Sequence, residues 1–180
     1  MRSKIVNFYL GKYRHPGSGL TIDEMWKWDD NHLAGMHGYT VWWFPTRKQA
    51  TAVEWDPITD EEIQEFKTNQ ELRKRVLVSF YRMLRFYGLE VDGTTKPPAI
   101  KKAENYEERR KVWVTEDNQN YRRISRILQS LVLLGFKEAA EIFLAALVEI
   151  YFQNQKTIEL KTYEFWTLSV SDPKYWNGKE

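Results

Sequence analysis

The 180-residue chain is predicted to fold as one all-α domain of about eight helices, spanning residues 1–180. Three observations carry this prediction. Apolar residues recur at helical spacing through two long segments, 70–87 and 118–135, and a third, 137–152, is apolar almost all round. Two capping boxes, Thr21–Glu24 and Thr59–Glu62, mark helix starts. Gly88 and Gly135 stand just past the last periodic residue of two long stripes, where a left-handed cap is needed.

In chain order, Ile5–Leu10 reads as a helical turn ended at Gly11, and 15–19 as a turn cluster. Thr21 opens a short helix through about Trp28, and Asp29 or Asp30 caps the next. The continuous apolar run 39–44 reads as a short helix stopped before Pro45. Thr46–Pro57 reads as a loop. Thr59 opens a helix through about Lys67, and Asn69 caps the long helix Gln70–Tyr87. Leu89–Glu104, with its Asp-Gly and Pro-Pro pairs, reads as a loop without a convincing hairpin. Asn105 is expected to cap Tyr106–Val114.

Asn118–Gly135 is the segment around which the rest is organised. Tyr121, Ile124, Ile127, Leu128, Leu131 and Leu134 share one face, and Arg123, Arg126 and Ser130 line its margin. Lys137–Phe152 is apolar nearly all round, so it should be central and lie antiparallel to the preceding helix across the short turn. Leu128 and Phe143 are expected in the core. Thr157–Val170 reads as a helix, because its neighbours are helical, and Ser171–Trp176 as a turn and tail.

Composition excludes several chemistries. Without cysteine there can be no disulfide, thiolate nucleophile or zinc–thiolate site. No apolar run approaches the roughly 20 residues of a membrane span, so a soluble, cytoplasmic protein is expected. His32 and His37 would point about 140° apart on one helix, and no H-E-x-x-H is present, so no metal or cofactor is expected. Nucleotide fingerprints and a G-x-S-x-G elbow are also missing, and no enzyme is expected.

Two features point to binding. Residues 70–126 hold 14 Lys/Arg against 8 Asp/Glu, in clusters 73–75, 109–111 and 122–126. These would suit nucleic-acid phosphates, or simply form a solvated helix face. The run 37–45 places His, Tyr and two Trp where they could wall a ligand pocket or anchor the N-terminal third.

Both stretches carry a family resemblance. His37-Gly-Tyr-Thr-Val-Trp-Trp-Phe-Pro45 resembles the H-x-Y-I-Q-W-L-F-P signature of the opioid growth factor receptor conserved domain. Gln119–Leu131 with Leu134-Gly135 is similar to its H-N-x-x-R-I-T-R-I-L-K-S-L-x-x-L-G run, and Phe80–Gly88 resembles its M-L-x-F-Y-G helix end. The resemblance spans about Asn7 to Tyr151, and the chain is expected to be essentially that domain. Val41, Trp43 and Gln119 replace the family's Gln, Leu and His. His37, Tyr39, Trp42, Phe44, Pro45, Asn120, Arg123 and Arg126 match. The resemblance implies the family's helical fold and receptor activity towards an enkephalin-type opioid peptide, with nuclear or perinuclear placement in animal relatives.

The expected site combines His37, Tyr39 and Trp42 with Asn120, Arg123 and Arg126, binding a peptide or protein partner; nucleic acid is the alternative, and an enzyme without a recognisable motif is the third reading. A guanidinium would hold a carboxylate while the aromatics pack the rest. The competing account is structural. Arg123 would pair with Glu62, Glu141 or Asp30, and His37 would be a hydrogen-bonded core residue.

Overall fold

A computed structural model describes residues 3–47 and 57–171. Most of the expected loop 46–57 and the tail beyond Ser171 lie outside the described residues. The described chain is mainly helical: α1 Lys4–Tyr9, α2 Ile22–Met25, α3 Asp30–Gly35, α4 Tyr39–Trp43, α5 Asp60–Thr68, α6 Gln70–Tyr87, α7 Tyr106–Trp113, α8 Asn120–Leu133, α9 Lys137–Gln153 and α10 Leu160–Ser171. There are ten among the described residues rather than about eight, because each short N-terminal turn closes into its own helix.

Local signals explain most boundaries. Both capping boxes form, each with its Thr hydroxyl accepting from the Glu amide and the Glu carboxylate accepting from the Thr amide. Asn69 Oδ1 accepts from Glu71 N at 3.0 Å and Leu72 N at 3.3 Å. Gly135, at φ +85°, ends α8, and Phe136 N closes the cap on Leu131 O at 2.7 Å. Gly88 ends α6 at φ +74°; a Cβ there would stand 2.9 Å from the Tyr106 backbone. Only glycine lets α6 reverse against α7. Asn105 does not cap α7 with its side chain; its carbonyl instead accepts from the Glu108 and Arg109 amides.

The segment read as a loop, 89–104, contains a hairpin. β1 (Leu89–Asp92) pairs antiparallel with β2 (Ala99–Lys102), setting Val91 opposite Ile100 and Glu90 opposite Lys101. Val and Ile suit such a pair, and Lys101 lies 3.5 Å from Glu90 and 3.7 Å from Asp92. The turn is built by Asp92, whose Oδ1 accepts from Thr94 N and Oγ1. Each strand has only four residues and the connection is long, so the alternation is too brief to stand out in sequence.

The core forms as expected around α8 and α9, which pack side by side across the Gly135 turn, with α10 on both. Leu128 and Phe143 are fully buried, and Phe143 meets Phe80 of α6 edge-on at 5.6 Å between ring centres. Trp166 of α10 is buried and donates to Tyr121 O at 3.1 Å. At the other end, α1 and α4 bury an aromatic cluster against α6. There the Tyr9 hydroxyl donates to Trp43 O, and Tyr9 meets Phe66 at 5.1 Å.

Candidate functional site

The margin of α8 is where polar chemistry concentrates. Arg123 and Arg126 are three residues apart, so they share one flank of the helix. Arg123 is buried, with 8% exposure. Its Nη1 donates to Leu33 O at 3.1 Å and to Asn120 Oδ1 at 3.3 Å, and its Nη2 donates to Met36 O at 2.7 Å. The guanidinium thus holds the C-terminal end of α3, where helix carbonyls have no helical donor. It also lies over the Tyr39 ring, 5.4 Å from the centroid. None of the three carboxylates considered for Arg123 fills that role. Asp30 instead receives Arg82 Nη2 at 2.9 Å and Arg109 Nε at 3.5 Å.

Arg126 is less completely satisfied. Its Nε donates to Phe44 O at 2.9 Å. Its Nη2 is enclosed and has no hydrogen-bond partner among the described residues. Desolvation by burial lowers its pKa from 12.5 to about 10.

Both arginines border a groove of about 750 Å³ between α8 and α10. Thr40 and Val41 of α4 close one end, Tyr121 and Phe165 supply aromatic surface, and Arg122 and Lys161 add charge. Four cationic side chains stand against two carboxylates, Asp117 and Glu159, so the groove favours an anionic group.

The six expected residues divide. Tyr39, Asn120 and Arg123 come together, and Arg126 joins them along α8. Asn120 is buried and anchors the start of α8 through Asn118 Oδ1 at 2.9 Å. Tyr39 is fully buried, with its hydroxyl 3.7 Å from Met83 Sδ. Burial pushes its phenol up to about 12, against the pull of the Arg123 charge. Trp42 faces elsewhere. It stacks on Tyr13 at 5.7 Å and meets Phe8 edge-on at 5.1 Å. His37 is exposed rather than a core residue and does not line the groove. The groove's aromatic surface comes from Tyr121 and Phe165, which the sequence reading assigned to the core and to a segment without clear periodicity. Among the described residues, no group of three or more His, Asp or Glu could hold a metal ion, and no helix is long and apolar enough to cross a membrane.

Comparison with known proteins agrees with the signatures. The model of the opioid growth factor receptor conserved region matches residues 2–175. The opioid growth factor receptor-like protein 1 of Xenopus tropicalis is 36% identical over 152 residues, covering 83% of this chain and 28% of the relative. That of Mus musculus is 33% identical over 175 residues, covering 93% of this chain and 36% of the relative. The opioid growth factor receptor of Homo sapiens is 32% identical over 154 residues, covering 83% of this chain and 22% of the relative. The chain therefore spans only a minor part of each of these relatives. No solved structure matches it. With matched signatures on α4, α6 and α8 and a family model covering nearly its whole length, the chain belongs to the opioid growth factor receptor conserved-region family.

Proposed function

We propose that this domain is a binding module for a peptide, or for a peptide segment of a partner protein, and that the α8–α10 groove receives a carboxylate of that ligand. The observation that carries the reading is Arg126, a guanidinium on the groove wall whose buried Nη2 has no hydrogen-bond partner and which has no ion pair among the described residues. A partly buried cation without a counter-charge is costly, and a ligand carboxylate offsets that cost through charge-assisted hydrogen bonds. Arg122 and Lys161 draw the anion in, and Tyr121 and Phe165 pack its apolar neighbours. The relatives are named as receptors of an opioid growth factor, so an enkephalin-type opioid peptide is the first ligand to try. Nucleic acid fits less well, because several basic clusters serve internal contacts. Arg75 binds Asp23 and Tyr9 O, Arg109 binds Phe86 O, and Arg123 binds α3.

Isothermal titration calorimetry tests the reading. The probes are an enkephalin-type peptide and unrelated peptides of equal length lacking Asp and Glu, each as free acid and as C-terminal amide. Free acids are expected to bind the wild-type protein. Amidation, or Arg126→Gln, is expected to weaken binding at least about tenfold, equal to about 1.4 kcal/mol. Absence of binding by every peptide, or equal binding of acid and amide, would overturn the proposal.

A further inference from the structure

A second groove, of about 380 Å³, runs between α6 and β1 and shares no residue with the α8 groove. Trp26, Val78, Tyr81, Arg85, Leu89 and Val91 line it. Six large hydrophobic side chains are exposed among the described residues. Three of them, Val78 at 42%, Tyr81 at 46% and Val91 at 38%, meet here. Single exposed hydrophobics need no explanation, but a convergence of half of them on one groove does. Past Arg85 the groove continues into a hollow of about 530 Å³, bordered by Trp28, Asn105, Asp29 and Asp30, of which Asp30 is paired with Arg82 and Arg109.

The backbone of the groove is also unpaired at Val91 among the described residues. Ala103 N donates to Gly88 O at 2.8 Å, which extends the β1–β2 ladder by one hydrogen-bonded pair. In an antiparallel ladder such pairs alternate. Glu90 and Asp92 therefore face β2, and Val91 turns its N–H and C=O to the open edge. Neither has a hydrogen-bond partner among the described residues. An open strand edge beside an apolar helix face is the geometry that accepts an added strand.

Charge decides what would occupy it. Arg85 borders the groove, is exposed, and has no ion pair or hydrogen bond among the described residues, whereas Glu90 on the same lining lies 3.5 Å from Lys101. An acidic residue suits Arg85. A second copy of β1 does not suit the edge. Every antiparallel register that pairs Val91 with an outward-facing residue of another β1 sets Glu90 or Asp92 against a carboxylate, and like charges directly opposed are destabilising.

We propose that the open edge of β1 and the α6 face beside it dock an extended segment of a partner protein, alternately apolar and carrying an acidic residue, which joins the hairpin as a third strand. Its apolar side chains would pack on Val78, Tyr81 and Val91, and its acid would meet Arg85. This surface is independent of the Arg126 site.

Random octapeptides displayed on phage, selected against the full chain, test the proposal. Selected sequences should alternate apolar residues with an Asp or Glu among them. Synthetic versions should bind at least about tenfold more weakly to Tyr81→Glu, to Arg85→Glu and to Val91→Pro, and equally well to Arg126→Gln. Val91→Pro removes an outward N–H and leaves the bonds to β2 in place. N-methylation at alternate peptide positions should abolish binding for one parity and spare it for the other, a readout that does not depend on any protein variant folding. No selected binder, indifference to N-methylation at both parities, or binders lost only with Arg126→Gln would overturn it. Concentration-dependent dimerisation abolished by Tyr81→Glu would also overturn it, by placing a second copy on the edge.

Discussion

Arg123 and Arg126 lie one helical turn apart and carry opposite expectations. Arg123 donates to two backbone carbonyls at the end of α3 and to Asn120. Arg123→Ala leaves those two carbonyls unpaired, and should destabilise the fold by about 3 kcal/mol or more, at roughly 1.5 kcal/mol or more per charge-assisted bond. Arg126 has one such bond and an unpartnered nitrogen. Arg126→Gln should therefore cost about 1 kcal/mol or less, because the lost bond is offset by relief of a desolvated charge. Urea denaturation of the two variants checks this ordering. Equal losses would mean that both arginines are structural. The sequence placed both residues on the stripe margin correctly, since a three-residue spacing fixes their shared flank. It could not foresee that the Arg123 partners are carbonyls, because backbone acceptors leave no mark in the residue identities.

At the scale of elements, α8 and α9 form the packing centre, with Leu128 and Phe143 at full burial. Truncating either to Ala removes a large side chain from a close-packed interior. Each change should cost about 2–5 kcal/mol and lower the thermal midpoint by many degrees. Midpoints within a degree or two of the parent would refute this centre. Long stripes and caps made these helices legible, because they repeat a signal over four or five turns. The β1–β2 hairpin was not legible. Its cross-strand contacts, Val91 opposite Ile100 and Lys101 beside two carboxylates, exist only once the chain has turned. Similarly, Phe165 and Lys161 of α10 line the α8 groove through tertiary placement alone, within a segment whose apolar residues show no decisive period.

Across the whole molecule, the aromatic richness of the sequence reports a core built on tyrosine as well as tryptophan. Burial raises the phenols of Tyr39 and Tyr121 to about 12, and raises those of Tyr9 and Tyr87 as well. A group whose pKa is raised on folding contributes stability that is complete below its unfolded value and lost as pH rises. Here the loss runs from about pH 10 upward through about 12. Arg126, lowered to about 10, acts oppositely over the same window, but it is one group against five, since burial raises the Tyr106 phenol too. The protein should therefore unfold cooperatively above about pH 10, with these tyrosines ionising together at the transition rather than individually. Absorbance at the tyrosinate band, followed with circular dichroism, checks this; early ionisation without loss of helix would contradict it. The expected site was legible only in part for a related reason. The signature residues on α4 and α8 do approach one another, but Trp42 packs into this aromatic interior and His37 stays outside the groove. Sequence adjacency within a signature does not fix which face of a one-turn helix each residue takes.

The central claim is that the Arg126 guanidinium is held ready for a ligand carboxylate. It is tested most directly by following the Arg126 side-chain nitrogen resonances by NMR while a free-acid peptide, and then its amide, is titrated into the labelled protein. The account predicts that the acid alone shifts the Arg126 Nε–H and slows rotation of the guanidinium, with Arg123 unmoved in its bonds to α3. An Arg126 resonance that stays in place at peptide saturation, or that moves equally with the amide, would contradict it.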